Sequence, residues 1–176
     1  VVWGNEPLAS NADGYVGHWL VQCVQMGTKI ISIDPRLTWW GAKAEVWLQV
    51  RPGTDGALGI AMLNTIINED LVDHDFIDKW CYGYDELVER VQQYTPEFAA
   101  ATCGIEADEI VTCARKLAYD GGEHHGGLLM GVAVDQNPNG CQVTQCLIAM
   151  SAITGNLDVP GGVTLAAPAS FMGKWR

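Results

Sequence analysis

The sequence predicts an α/β protein, a Rossmann-like open sheet that is mostly parallel with helices on both faces. Three observations carry that expectation. Strand-like and helical periodicities alternate from the start, giving strand, helix, strand within the first 34 residues, the length of one βαβ unit. Polar or glycine-rich loops follow three strand segments immediately: Trp3-Gly4-Asn5, Asp34-Pro35-Arg36 and Pro52-Gly53-Thr54-Asp55. The composition, 48% apolar and 18% charged over 176 residues, is that of a chain able to bury a core without cross-links. No apolar run approaches the roughly 18 residues of a membrane-spanning helix.

Each element has a local cause. Val1, Val2 and Trp3 read as the end of a strand; a domain seldom begins inside one, so the chain is expected to be a piece of a longer polypeptide or a mature chain without its first part. After the polar residues 5–14, the apolar positions Tyr15, Val16, Trp19, Leu20, Cys23, Val24 and Met26 follow helical spacing and stop at Gly27. Residues 29–34 read as a buried strand broken by Pro35. Residues 45–50 alternate strictly, with Val46, Leu48 and Val50 on one face. A turn at 51–56 leads into a helix from about residue 57 to 68. Residues 72–118 read as short acidic amphipathic helices starting at Asp73, Asp85, Thr95-Pro96 and Glu106, residue types that suit helix N-termini. Residues 128–134 form the last predicted strand, then come a turn at 137–140 and a helix to Ile153. Thr154-Gly155-Asn156 and Pro160-Gly161-Gly162 end the regular structure.

Charge narrows the partners. The net charge is −11, and the excess lies after residue 60, where six basic residues face sixteen acidic ones. That surface repels polyanions, so nucleic acid is excluded as a partner class, while the nearly balanced first third can meet an anion. The six cysteines contain no C-x-x-C and no zinc spacing and read as small buried hydrophobes. His124-His125, in a glycine-rich loop with only Glu123 beside them, read as loop residues and not as a metal site. His18 and His74 fall on helix surfaces or starts, with no nucleophile nearby. Arg36, Lys43 and Arg51 either neutralise phosphate or are solvated surface charges. The seven tryptophans, Trp39-Trp40 among them, read as packing residues.

The three loops define the candidate site. In an open parallel sheet, loops after the strands gather in one crevice where ligands bind. Gly4 permits close backbone approach, Asn5 and Ser10 add hydrogen-bonding groups, and Asp34 ends the second strand where an acid can accept from a ribose hydroxyl or a guanine edge. Together they favour a nucleotide-like ligand. No G-x-G-x-x-G follows the first strand and no P-loop lysine occurs, which argues against a standard NAD or ATP site.

These residues resemble the molybdopterin oxidoreductases of the dimethyl sulfoxide reductase superfamily. The resemblance rests on Val2-Trp3-Gly4-Asn5-Glu6-Pro7, Ile33-Asp34-Pro35-Arg36, Arg51-Pro52-Gly53-Thr54-Asp55-Gly56-Ala57-Leu58, Tyr94-Thr95-Pro96-Glu97, Gly131 with Asp135-Gln136 and Asn139-Gly140, and residues 154–162, in the family's order. It implies a catalytic-subunit domain that binds one guanine dinucleotide of a bis(molybdopterin guanine dinucleotide) cofactor carrying molybdenum or tungsten. By similarity Trp3, Gly4, Asn5 and Ser10 lie along the pyrophosphate, Asp34 and Arg36 near the guanosine, and Gly53 and Asp55 at the guanine; Met130, Gly131 and Gln136 join the same site. The resemblance implies no catalytic residue within this chain, since the family's metal ligand and iron–sulfur cysteines lie upstream of its first motif. It further implies, as partners, the remaining domains of the same subunit and an electron-transfer subunit.

Residues 1–162 are expected to form the cofactor-binding lobe and 163–176 a tail toward a next domain. Leu157, Val159, Val163 and Leu165 are then expected to lack internal partners. One departure stands out: the family pattern Trp-Gly-x-Asn-Pro has Glu6 in place of its Asn, with Asn5 one position earlier. The alternative reading is a free-standing, non-catalytic nucleotide-binding module. The compartment, prokaryotic cytoplasm or periplasm, is open.

Overall fold

The computed structural model describes residues 1–10, 15–118 and 125–165. Four short strands, β1 (Val2–Trp3), β2 (Ile31–Ile33), β3 (Val46–Leu48) and β4 (Leu129–Met130), form one all-parallel sheet in the order β3-β2-β1-β4. The helices among the described residues are α1 (Pro7–Ser10), α2 (Tyr15–Gln25), α3 (Trp39–Lys43), α4 (Asp55–Asn68), α5 (His74–Trp80), α6 (Tyr84–Val91), α7 (Pro96–Cys103), α8 (Ala107–Leu117), α9 (Val132–Asp135) and α10 (Gly140–Ile153). The predicted fold class is the observed one. From β1 the chain winds outward through β2 to β3, then returns to lay β4 on the other side of β1. The direction of winding therefore reverses between β1 and β4, which is where open α/β sheets bind ligands.

Strand alternation sorts the core into two layers. Trp3, Ile33 and Leu48 stand in register on one face and meet Leu58, Met62 and Ile66 of α4, Ile110 of α8, and Leu147 and Met150 of α10, all essentially inaccessible to water. Val2 and Ile30 point the other way and pack with Trp40 of α3 against Leu20, Val21 and Val24 of α2. Trp40 is fully buried and meets Trp39 edge to face, whereas Trp39, Trp19 and Trp80 are exposed where packing was expected.

Helix boundaries follow their capping chemistry. Asp73 accepts from the Phe76 amide at 2.9 Å, Thr95 from the Phe98 amide ahead of Pro96, and Glu106 with Glu109 forms a capping box. α6 starts one residue before the predicted Asp85, because Gly83 takes the left-handed conformation that turns the chain into it.

Three expectations are corrected. The last strand stops at Met130 and not Val134: the Gly131 amide donates to Trp3 O at 2.8 Å, and the chain then bends so that the Val134 amide donates to Gly131 O, opening α9. Leu157 and Val163 are not without partners. They pair with each other as an isolated parallel bridge, flanked by bonds from Asp158 N to Val163 O and from Val163 N to Asn156 O, both 2.7 Å. Leu165 is exposed, and residues 166–176 of the predicted tail lie outside the described residues. Finally, Cys23 and Cys141 are exposed where burial was expected, while Cys103 and Cys113 are buried and all six thiols are free. Burial pushes the Cys113 thiol up to about 12.

Candidate functional site at the carboxyl edge of the sheet

The four strand ends deliver four loops to one edge. β1 exits through Gly4, whose φ of +57° favours glycine and whose amide donates to Ile33 O at 2.8 Å. Asn5 donates from Nδ2 to Met130 O at 3.4 Å, joining the loop after β1 to the end of β4. Gly131 sits against the same turn: a Cβ there would overlap the carbonyl oxygen of Gly4 and come within 2.8 Å of Asn5 Cα. Trp3, Gly4, Asn5, Met130 and Gly131 thus converge where the winding reverses, and bare backbone forms its floor.

The loop after β2 is built around Asp34, which is 3% exposed. Its Oδ1 accepts from Arg36 N at 2.8 Å and Arg36 Nε at 3.2 Å, and Oδ2 accepts from Arg36 Nη2 at 3.4 Å. Trp47 Nε1 and Gln49 Nε2, on the β3 side, donate to the carbonyls of Asp34 and Pro35 and fix the loop. Arg36 is the group on the outside, with 69% of its side chain exposed. Its bonds to Asp34 and the Asp34 charge, with a smaller contribution from Glu6, hold its guanidinium above the ordinary value.

After β3, Gly53 has a φ of +83° and open space where a side chain would stand. Two residues on, Asp55 opens α4, where a carboxylate suits the positive end of the helix dipole. Asp55 Oδ1 accepts from the indole N–H of Trp3 at 2.8 Å, a contact between residues 52 apart in sequence. Arg51 donates to Thr102 O at 2.8 Å, which makes it a clasp on α7, and Lys43 is exposed at the end of α3.

Neither Ser10 nor Gln136 bonds to another predicted site residue. Ser10, on the exposed end of α1, donates to Glu6 O at 2.7 Å, and Gln136 caps α9 with its side chain exposed. The sequence also missed how Glu6 is held: its Oε1 is buried with no donor among the described residues, so it asks for an N–H or O–H and not for a phosphate oxygen. The Trp-Gly-x-Asn-Pro departure was the only signal pointing to it.

Elsewhere, His74 Nε2 pairs with Asp70 and His125 Nδ1 with Asn156, and His18 is exposed on α2. His124 lies outside the described residues. No three His, Cys, Asp or Glu side chains converge on a metal-sized site among the described residues. A cavity of about 960 Å³ opens at the amino ends of the strands, rimmed by Lys29 and Lys116, both paired to Glu45. None of the predicted site residues lines it.

Comparison with known proteins decides the family. The chain is 38% identical over 151 residues to acetylene hydratase of Syntrophotalea acetylenica, covering 86% of this chain and 20% of that one. It is 31% identical over 157 residues to the molybdopterin-containing subunit of thiosulfate reductase of Salmonella typhimurium (89% and 20%), and 31% identical over 196 aligned positions to dimethyl sulfoxide reductase of Haemophilus influenzae (97% and 24%). The solved structure of acetylene hydratase from Pelobacter acetylenicus superposes with a TM-score of 0.81 at 33% identity, over 88% of this chain and 21% of that one. The chain belongs to the dimethyl sulfoxide reductase family of molybdopterin enzymes. It spans about a fifth of the length of the relatives it matches. No family model matches it. A molybdenum or tungsten pterin is the cofactor the family implies.

Proposed function

We propose that this chain is the part of a molybdenum or tungsten bis(molybdopterin guanine dinucleotide) oxidoreductase that holds one guanine dinucleotide along the carboxyl edge of its sheet. The supporting observation is the convergence of the strand-end loops on the reversal between β1 and β4, with backbone alone at Gly4 and Gly131. The residues present fit such a ligand. The absence of side chains at Gly4 and Gly131 lets the loops after β1 and β4 close on each other, and Asn5 stands at that junction as a polar group for the pyrophosphate. Arg36 is an exposed, permanently charged donor for phosphate or ribose oxygens, held from beneath by Asp34.

Asp55 reads the base. A carboxylate accepts from guanine N1–H and the N2 amine together, and adenine offers no such pair. The indole bond uses one lone pair of Oδ1 and leaves acceptor positions on both oxygens. Gly53, open on its outer side, leaves room for the base edge. When bound, the metal, held by dithiolenes of two pterins, supplies oxygen-atom or two-electron chemistry. This chain's residues bind and orient the cofactor, and the metal's protein ligand and any iron–sulfur cluster belong to other parts of the polypeptide. Residues 1–162 act as the lobe and 163–176 lead to the next domain; the rest of the subunit and an electron-transfer subunit are its partners.

The test is cofactor retention in the full-length enzyme. Asp55→Ala leaves guanine donors unpaired in a half-buried site, a loss of about 1–3 kcal/mol or roughly ten- to a hundredfold in affinity. Asp55→Asn is nearly as harmful. Wild-type guanine dinucleotide per subunit in both variants would remove Asp55 from the site and with it the guanine reading.

A further inference from the structure

Trp3 lies beneath the first turn of α4. It is fully buried, and its indole spans that turn: Nε1 meets Asp55 Oδ1 at 2.8 Å, while Cη2, at the far end of the ring, lies 4.0 Å from where a Cβ on Gly59 would stand. Positions 55 and 59 are one turn apart on the same helix face. Ile33 and Leu48 extend the same layer from the neighbouring strands, so the ring has little freedom to rotate.

From this geometry we propose that Trp3 is a positioning residue for the nucleobase, acting through Asp55. The inference rests on the guanine reading above and adds a specific device to it. A short carboxylate at a helix start has several staggered rotamers, and each is compatible with solvent. The indole N–H selects one of them, because a donor held rigidly by the core bonds a carboxylate in only one arrangement. The cost of ordering Asp55 is then met during folding and not during binding, which is preorganisation. Among the described residues no other side chain bonds to the Asp55 carboxylate, so the arrangement depends on this one donor. Phenylalanine fills much of the same space without the N–H. A tyrosine hydroxyl would fall at a different point from the indole nitrogen.

The experiment uses the full-length enzyme. Guanosine monophosphate released by acid is counted per subunit after prolonged dialysis, for wild type, Trp3→Phe, Asp55→Ala and the double variant. The expected result is about a tenfold fall in affinity for Trp3→Phe, the scale of a lost hydrogen bond to a charged group, and no further fall when it is added to Asp55→Ala. A purely packing role for Trp3 predicts an additional loss in the Asp55→Ala background, and that outcome overturns the proposal. So does wild-type retention in Trp3→Phe alongside loss in Asp55→Ala. Wild-type retention in Asp55→Ala overturns the guanine reading itself, and this proposal with it. Should Trp3→Phe fail to fold, benzothienylalanine at position 3 keeps the fused-ring shape and removes only the N–H. Loss of guanosine monophosphate from that variant is expected, and wild-type retention refutes the role.

Discussion

Replacing Gly131 with alanine tests whether the floor of the crevice is as tight as the geometry implies. The backbone there has φ −99° and ψ 162°, a conformation open to any residue, so the substitution carries no torsional cost. Its cost is steric. The new methyl would overlap Gly4 O and lie 2.5 Å from Gly4 C and 2.8 Å from Asn5 Cα, all backbone atoms of a turn pinned by the Gly4 amide bond to Ile33 O. Relief requires β4 to move away from β1, which strains the Gly131 N to Trp3 O bond and the Asn5 to Met130 contact. Overpacking of about 1–3 kcal/mol plus about 1 kcal/mol for a weakened buried bond gives roughly 2–4 kcal/mol. At about 2–4 °C per kcal/mol for a chain of this size, the thermal midpoint falls by about 4–16 °C. The assay is far-UV circular dichroism of the 176-residue chain during heating, with urea titration for the free energy. Gly56→Ala is the matched control: it adds the same methyl inside α4, 3.4 Å from Val143 Cγ2, an ordinary contact, and is expected to leave the midpoint unchanged or slightly raised. A Gly131→Ala midpoint within about 1 °C of wild type, below even a 1 kcal/mol effect, would refute the close approach of the two loops.

Asn156 donates to Leu117 O and Thr154 Oγ1 and accepts from Gly126 N and His125, so Asn156→Ala strands buried backbone groups and is expected to cost about 2–4 kcal/mol in the same urea titration. Iodoacetamide at pH 8 is expected to modify Cys23 and Cys141 in the native chain and spare Cys113, whose thiol burial pushes up to about 12; equal labelling of all three would contradict that burial. Glu69 accepts both Nε and Nη2 of Arg115 at 2.6 and 2.7 Å, which holds its carboxyl below the ordinary value. That pair stabilises the fold above pH 4.5 and fades as the pH falls through the lowered pKa. Glu69→Gln should therefore be less stable than wild type at pH 7, and a gap that fails to close in acid would show that the charge is not its source.

How far the sequence could be read depends on the range of the interaction. Helix starts at Asp73, Thr95 and Glu106 were legible because a cap is a bond between residues three apart. The inward face of β3 was legible because alternation is local, and β2 because a short, mostly apolar run is. α3 was missed, since five residues give too short a periodic signal, even though Thr38 caps it with a bond to the Gly41 amide. The last strand was overextended because Val132 and Val134 look like strand residues. What ends it is the turn at Gly131, whose amide donates to Trp3 O while its carbonyl accepts from Val134 N to open α9.

The same distinction separates the parts of the candidate site. Asp34 and Arg36 were found as a local loop, and their pairing is local as well. Asp55 was found from its turn, but what holds it was not, because the Trp3 indole reaches it only through the register of β1 against β2 and the seat of α4 on the sheet. That register determines the chemistry: a one-residue slip of β1 would turn Trp3 to the α2 face and bring Val2 under Asp55, leaving the carboxylate without its donor. Strand pairing in this fold therefore does two things at once, closing the core and orienting the one acid at the start of α4. A substitution that perturbs β1 pairing, Gly131→Ala included, is expected to lower stability and guanine retention together, whereas benzothienylalanine at position 3, which keeps the ring in the core and removes the N–H, separates them only if that N–H is what the base-reading carboxylate depends on.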